Sequence, residues 1–293
     1  MKAILTTFLI LTFIMAASCQ PATDDYSTEF GKWHQERMES LRSATGWLNL
    51  AGIFWLREGE NTFGASGSNN IVFPAGKCPE QLGVFSLENG NVSLQPAAGQ
   101  KIGTGGAVIS GKTSVFPSDK QVIMEHGPLR WFVIRRGERY AVRLRDLEHP
   151  ALVTFRGVET YVPDTAWIFR ARLERTVGKK IPITNVLGQV NMMESPGTLV
   201  FTHKGTAYRL DAVEDDGKLF ILFSDETSGS TTYGTGRFLY AEIPGSDNYT
   251  VLDFNKAINP PCAFTVYATC PLPPAQNSLP FAVTAGEKRY GEH

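Results

Sequence analysis

From about residue 80 onward, apolar and polar positions mostly trade places every second residue. Gly83-Val84-Phe85-Ser86-Leu87 turns at Asn89-Gly90 into Val92-Ser93-Leu94, the signature of a tight hairpin. A second pair runs from Leu129 to Arg135, through Arg136-Gly137-Glu138, into Tyr140, Val142 and Leu144. There Arg139, Arg143 and Arg145 interleave with the apolar residues, which predicts a half-buried strand with its arginines outward. Further on, Trp167, Phe169, Ala171 and Leu173 alternate with Arg170, Arg172 and Glu174. Residues 198–201, 207–210 and 219–223 repeat the pattern, with turns at Lys204-Gly205 and Asp215-Asp216-Gly217. Many short strands with glycine turns predict antiparallel sandwich or barrel units.

One helix stands apart. Phe30, Trp33, Met38 and Leu41 fall on one stripe across residues 27–44, with Ser27 and Glu29 as start signals. Residues 252–288 differ again, because Pro260, Pro261, Pro271, Pro273, Pro274 and Pro280 exclude long regular elements there. The expected fold is therefore mainly β, with one N-terminal helix and an irregular, proline-rich C-terminal segment. The best internal boundary is Glu148-His149-Pro150, giving a helix and β-sandwich over residues 28–148 and a second β-rich unit with its cap over 149–293.

The 293 residues allow one large or two ordinary domains. Lys plus Arg total 28 against 29 Asp plus Glu, with no long run of either sign, so neither a nucleic-acid surface nor a polybasic membrane patch is expected. The five histidines lack ligand spacing, Asp215-Asp216-Gly217 lacks the rest of a calcium loop, and no G-x-S-x-G occurs. No metal, cofactor or catalytic residue is assigned.

Residues 1–19 carry Lys2, an uncharged apolar stretch, and then Ala16-Ala17-Ser18 before Cys19. This is the layout of a secretory signal, and the closing Ala-Ala-Ser-Cys resembles the lipobox of bacterial lipoproteins. That resemblance implies acylation of Cys19 and anchorage to the cell envelope, with residues 20–27 as a polar tether. A signal peptide cut nearby, with Cys19 incidental, is the alternative. An oxidising envelope permits disulfides; Cys262 and Cys270 are the close pair, with Cys78 left over, while three free thiols remain the alternative.

The richest polar constellation is Asp225, Tyr233, Arg237, Asp253, Asn255, Asn259 and Glu287. Carboxylates beside an arginine and amides can orient a polar ligand, or make one carboxyl a base. The same residues can equally cap turns and pair internally to hold the irregular segment.

Several phrases resemble a bacterial family of unknown function, catalogued as domain of unknown function 1684. They include Gly59-Glu60-Asn61-Thr62-Phe63-Gly64, Asp225-Glu226-Thr227, Gly236-Arg237-Phe238-Leu239, Asn259-Pro260-Pro261-Cys262-Ala263-Phe264 and Cys270-Pro271-Leu272-Pro273-Pro274. The resemblance brings no activity with it. Residues 59–111 also resemble the core of forkhead-associated β-sandwiches, although Ala65 stands where those domains carry Arg. The leading expectation is an envelope binding or interaction module for a small polar ligand, glycan or protein partner. The alternatives are a hydrolase-like or lyase-like enzyme using Asp225 or Asp253 with Arg237, and a structural protein without a ligand.

Overall fold

The computed structural model describes residues 22–291; Cys19 and the signal-like segment lie outside the described residues. Two sheets form a sandwich in the first half. One runs in the order Leu50–Trp55, Arg139–Asp146, Leu129–Arg136, Met124–His126, Ile102–Thr104 and Ala107–Ile109. The other runs Ile71–Val72, Gly59–Gly64, Gly83–Glu88, Asn91–Pro96 and Thr113–Phe116, antiparallel except for its first pair. The predicted hairpin turns at Asn89 and Gly90 with φ of 50° and 81°. Both central residues of such a turn need positive φ, which Asn tolerates and Gly adopts without cost.

Register decides what each face of the first sheet presents. Trp131 pairs with Leu144 and Val133 with Val142, and all four enter the sandwich core beside Phe63 and Phe85. On the opposite face Phe132 pairs with Arg143, Ile134 with Ala141 and Arg136 with Arg139. A slip of one residue would turn Trp131 out and the arginines in, at a cost of about 2–3 kcal/mol for each large apolar side chain exposed. The alternation is thus as expected, but its consequence is not. Arg139 is exposed, whereas Arg143 and Arg145 are only 6% and 8% exposed, because the outer face is itself covered.

The second half holds a barrel-like antiparallel sheet in the order Arg237–Glu242, Lys218–Phe223, Thr206–Asp215, Gly197–His203, Ile168–Arg175 and Tyr249–Asp253. Its first and last strands approach each other, and Thr250 Oγ1 donates to the Glu242 carbonyl at 2.8 Å. Phe201, Phe223, Leu239 and Leu252 fill the interior, joined by Phe254, Leu279 and Val283 from the C-terminal segment. A two-stranded ribbon, Lys180–Thr184 with Val190–Glu194, packs on the outside through Ile181 and Ile183 against Phe220 and Phe238.

The helix spans Ala22–Arg42. It therefore includes residues 22–27, expected as tether, and ends two residues earlier than expected. Tyr26 is fixed there, its hydroxyl donating to both oxygens of Asp253 at 2.9 and 2.8 Å. Met38 and Leu41 pack on Leu48, Phe155 and Val158, which seats the helix across the junction of the two units. Pro150–Thr154 forms a short helix at the expected boundary, with His149 capping Ala151 N.

Candidate functional site

Most of the seven polar residues singled out in the sequence meet partners within the chain. Arg237 is fully buried: its Nη2 donates to Asp225 Oδ2 and to the Val283 carbonyl, both at 3.0 Å, and its Nη1 donates to the carbonyl of Ala285. Asp225 Oδ1 accepts from the Thr227 hydroxyl at 2.6 Å and from Val283 N at 3.1 Å. Burial of so many peptide groups in a proline-rich segment requires such acceptors and donors. Burial lowers the Arg237 pKa, and Asp225 opposes that shift. The pair closes the cap onto the barrel.

Asn255 holds the Asp164 backbone at both N–H and carbonyl, at 3.0 and 2.9 Å, while Asp253 caps Asn255 N at 3.1 Å. Glu287 is fully buried between Arg37 Nε at 2.9 Å and Asn259 N at 2.6 Å. Tyr233 is buried, and that burial pushes its phenol pKa up. Five of the seven line neither cleft described next; Asp253 and Asn259 each line one.

The C-terminal segment also covers the outer face of the sandwich sheet. Cys262 and Cys270 are joined as a disulfide with Cα atoms 6.1 Å apart, and the loop between them lies over the arginine strand. Thr265 Oγ1 donates to the Leu50 carbonyl at 3.4 Å, and Thr269 meets Arg136 and Arg143. Cys78 remains a thiol, its pKa pushed up to about 11 by burial and by Glu80.

Where helix, sandwich and barrel meet, a cleft of about 390 Å³ opens. Arg136, Arg143 and Arg37 supply its charge; Trp47, Phe238 and Tyr240 supply aromatic walls. Arg136 Nε donates to Thr269 Oγ1 at 3.1 Å and Arg143 Nη2 donates to the same oxygen at 3.5 Å. Two accepted bonds leave the Thr269 O–H free to donate in turn. A larger groove of about 660 Å³ adjoins it, sharing Arg37, Tyr240 and Ile258, and is lined also by Asp253 and Lys256.

The electrostatics of the first cleft are one-sided. Arg37 is neutralised by Glu287. Arg136, Arg143 and Arg145 meet neutral acceptors only: Thr269 for the first two, the Arg135 carbonyl in addition for Arg136, and Gly46 O with Asn49 Oδ1 for Arg145. Burial lowers all three pKa values, and in Arg143 the neighbouring Arg136 and Arg145 add to it, bringing the value down to about 10. Arg143 is thus still a cation at neutral pH, and its Nε is buried without a hydrogen-bond partner. A buried charge without a counter-charge costs several kcal/mol. An anion in the cleft would recover that cost. Arg237 Nε is likewise unpartnered, but its charge is met by Asp225.

Sequence reasoning missed Arg136, Arg143, Thr269 and Arg37. The available signal was a strand with three arginines whose same-face neighbours, Ile134 and Ala141, are apolar and therefore expect cover. Among the described residues, no group of three or more His, Cys, Asp or Glu side chains is placed to hold a metal ion.

No curated protein matches the chain. Among solved structures it is similar to the solution NMR structure of the uncharacterized protein from gene locus rrnAC0354 of Haloarcula marismortui. The two are 30% identical over 47% of this chain and 80% of that one, with a TM-score of 0.40. A family match spans residues 153–288, the second unit with its cap. It includes Thr269, Phe238, Tyr240 and Asn259, while Arg136 and Arg143 come from the preceding sandwich. The chain belongs to the family described as Protein of unknown function (DUF1684).

Proposed function

We propose that this protein is a binding module for a small polar ligand, held in the cleft between the two β units, and that it works at the cell envelope on a lipid anchor at Cys19. The observation that carries the binding role is Arg143: buried, cationic, without a carboxylate partner among the described residues, and lining a cleft with aromatic walls. Ligand clefts combine apolar walls with a few convergent polar groups, and they favour junctions between units. The envelope location is supported by residues 1–19 and by the Cys262–Cys270 disulfide, which suits an oxidising compartment.

The enzymatic reading with Arg237 holding a substrate has less support, since that guanidinium is fully buried and committed to Asp225 and to cap carbonyls. A thermal-shift screen of small anions, sugars and zwitterions against the full chain tests the binding reading. Stabilisation by at least one anion, lost in Arg143→Met, is the expected result. Ligands that stabilise the protein and its Arg143→Met variant equally would contradict it.

A further inference from the structure

We infer that the ligand's charged group is a phosphoryl group, presented as a phosphate monoester with a flat or apolar organic part. This inference rests on the reading of the cleft as the ligand site, and it begins with a charge count. Glu287 satisfies Arg37. Arg136 and Arg143 have no acid partner among the described residues, and both reach Thr269 Oγ1, so two uncompensated positive charges converge on one hydroxyl. A carboxylate or a sulfate monoester cancels one of them. A phosphate monoester carries about −1.5 to −2 at pH 7 and offers three strong acceptor oxygens. That suits two guanidinium groups and the Thr269 O–H.

Arginine forks also favour the bidentate geometry of phosphate oxygens over a point-charge contact. The rest of the ligand faces Trp47, Phe238 and Tyr240, in a space of about 390 Å³ that fits one small molecule rather than a polymer.

Calorimetric titration of the purified full chain at pH 7.5 tests this with phenyl phosphate, phenyl sulfate, benzoate and phthalate as probes. The expected result is phenyl phosphate binding at least tenfold tighter than the other three. That advantage should fall at least tenfold in Arg143→Met and in Arg136→Met, and partly in Arg143→Lys, which keeps charge but loses the fork. It should also decline as pH drops through about 6, where the phosphate takes its second proton.

Thermal unfolding of each variant separates lost binding from lost folding, and Arg136→Met, at a less buried position, serves as the second probe. Competition with phosphatidic acid vesicles separates a lipid headgroup from a soluble ester: displacement assigns the former and its absence the latter, both keeping the phosphoryl assignment. Benzoate or phthalate binding as tightly as phenyl phosphate, with the same dependence on Arg143, overturns the phosphoryl group and leaves the cleft reading standing. A folded protein that binds none of the four overturns both.

Discussion

Arg136 and Arg143 donate to the same oxygen, Thr269 Oγ1, at 3.1 and 3.5 Å, from neighbouring strands of one sheet to a loop that belongs to the other half of the molecule. Like charges drawn to one neutral acceptor are unfavourable without an anion between them. On the proposed binding role, the arrangement trades stability of the ligand-free protein for affinity, which makes the first prediction unusual in sign. Arg143→Met should leave the ligand-free protein as stable as the parent or more so, by about 1–2 kcal/mol, because it removes a buried cation with no counter-charge. Chemical denaturation in anion-poor buffer measures this. A loss of more than about 1 kcal/mol would mean that the guanidinium is structural.

Arg237 should behave in the opposite way. Removing one partner of the buried Asp225–Arg237 pair leaves the other charge stranded under the cap, so Asp225→Ala or Arg237→Met should cost about 3–5 kcal/mol. A double variant with apolar residues at both positions should recover part of that loss. Equilibrium unfolding of the two single variants and the double variant gives the coupling directly.

The disulfide links stability to the cleft. The Cys262–Cys270 bridge joins positions eight apart in sequence, and the chain-entropy account gives roughly 2–3 kcal/mol for closing so short a loop. Replacing both cysteines by serine should lower stability by about that much and should also weaken anion binding, since Thr269 sits on the loop beside Cys270. Unchanged affinity in a destabilised variant would show that Thr269 is held by its own contacts.

Acid sensitivity has an identifiable source at Asp211. Burial tends to raise its pKa, but hydrogen bonds from Lys179 at 2.5 Å, Thr198 at 2.6 Å and Gln276 at 3.0 Å prevail and hold it below the usual carboxylate value. A depressed folded pKa means that its contribution is complete above the unfolded value of about 3.9 and disappears as pH falls through the folded value. Asp211→Asn should therefore lower stability at neutral pH and flatten the acid side of the pH–stability curve below about pH 4. An acid limb identical to the parent's would exclude Asp211 as the source.

The proposed anchor makes its own forecast. Cys19→Ser should shift the protein from the membrane fraction to the soluble one, because a diacylated terminus binds bilayers firmly and an unmodified one does not. Fractionation with mass spectrometry of the mature N-terminus reads both the acyl groups and the partition.

Much of this architecture was legible because local signals and global packing agree. Asn89-Gly90 specifies its turn by φ alone, and the alternation around Val142 and Leu144 sets the sandwich face. Asp253 and Asn255, open between ligand contact and turn capping in the sequence, do cap backbone groups. The cleft was not legible for a physical reason. A period of two reports which residues share a face, not whether a distant segment lies over that face. Arg143 reads as solvent-facing until residues 262–270 arrive from more than a hundred positions away. The same long-range folding gives Tyr26 a partner in Asp253, so helix replaces tether over residues 22–27.

The most direct measurement follows the Arg143 Nε–H itself. In the full chain, a titration with phenyl phosphate observed by arginine-selective ¹⁵N NMR, with Arg143 assigned by its loss in Arg143→Lys, should shift the Arg143 and Arg136 Nε signals together and leave Arg237 in place. A saturating shift confined to those two residues is the result this account predicts. Signals from Arg136 and Arg143 that stay fixed, or move no more than Arg237 does, would contradict it.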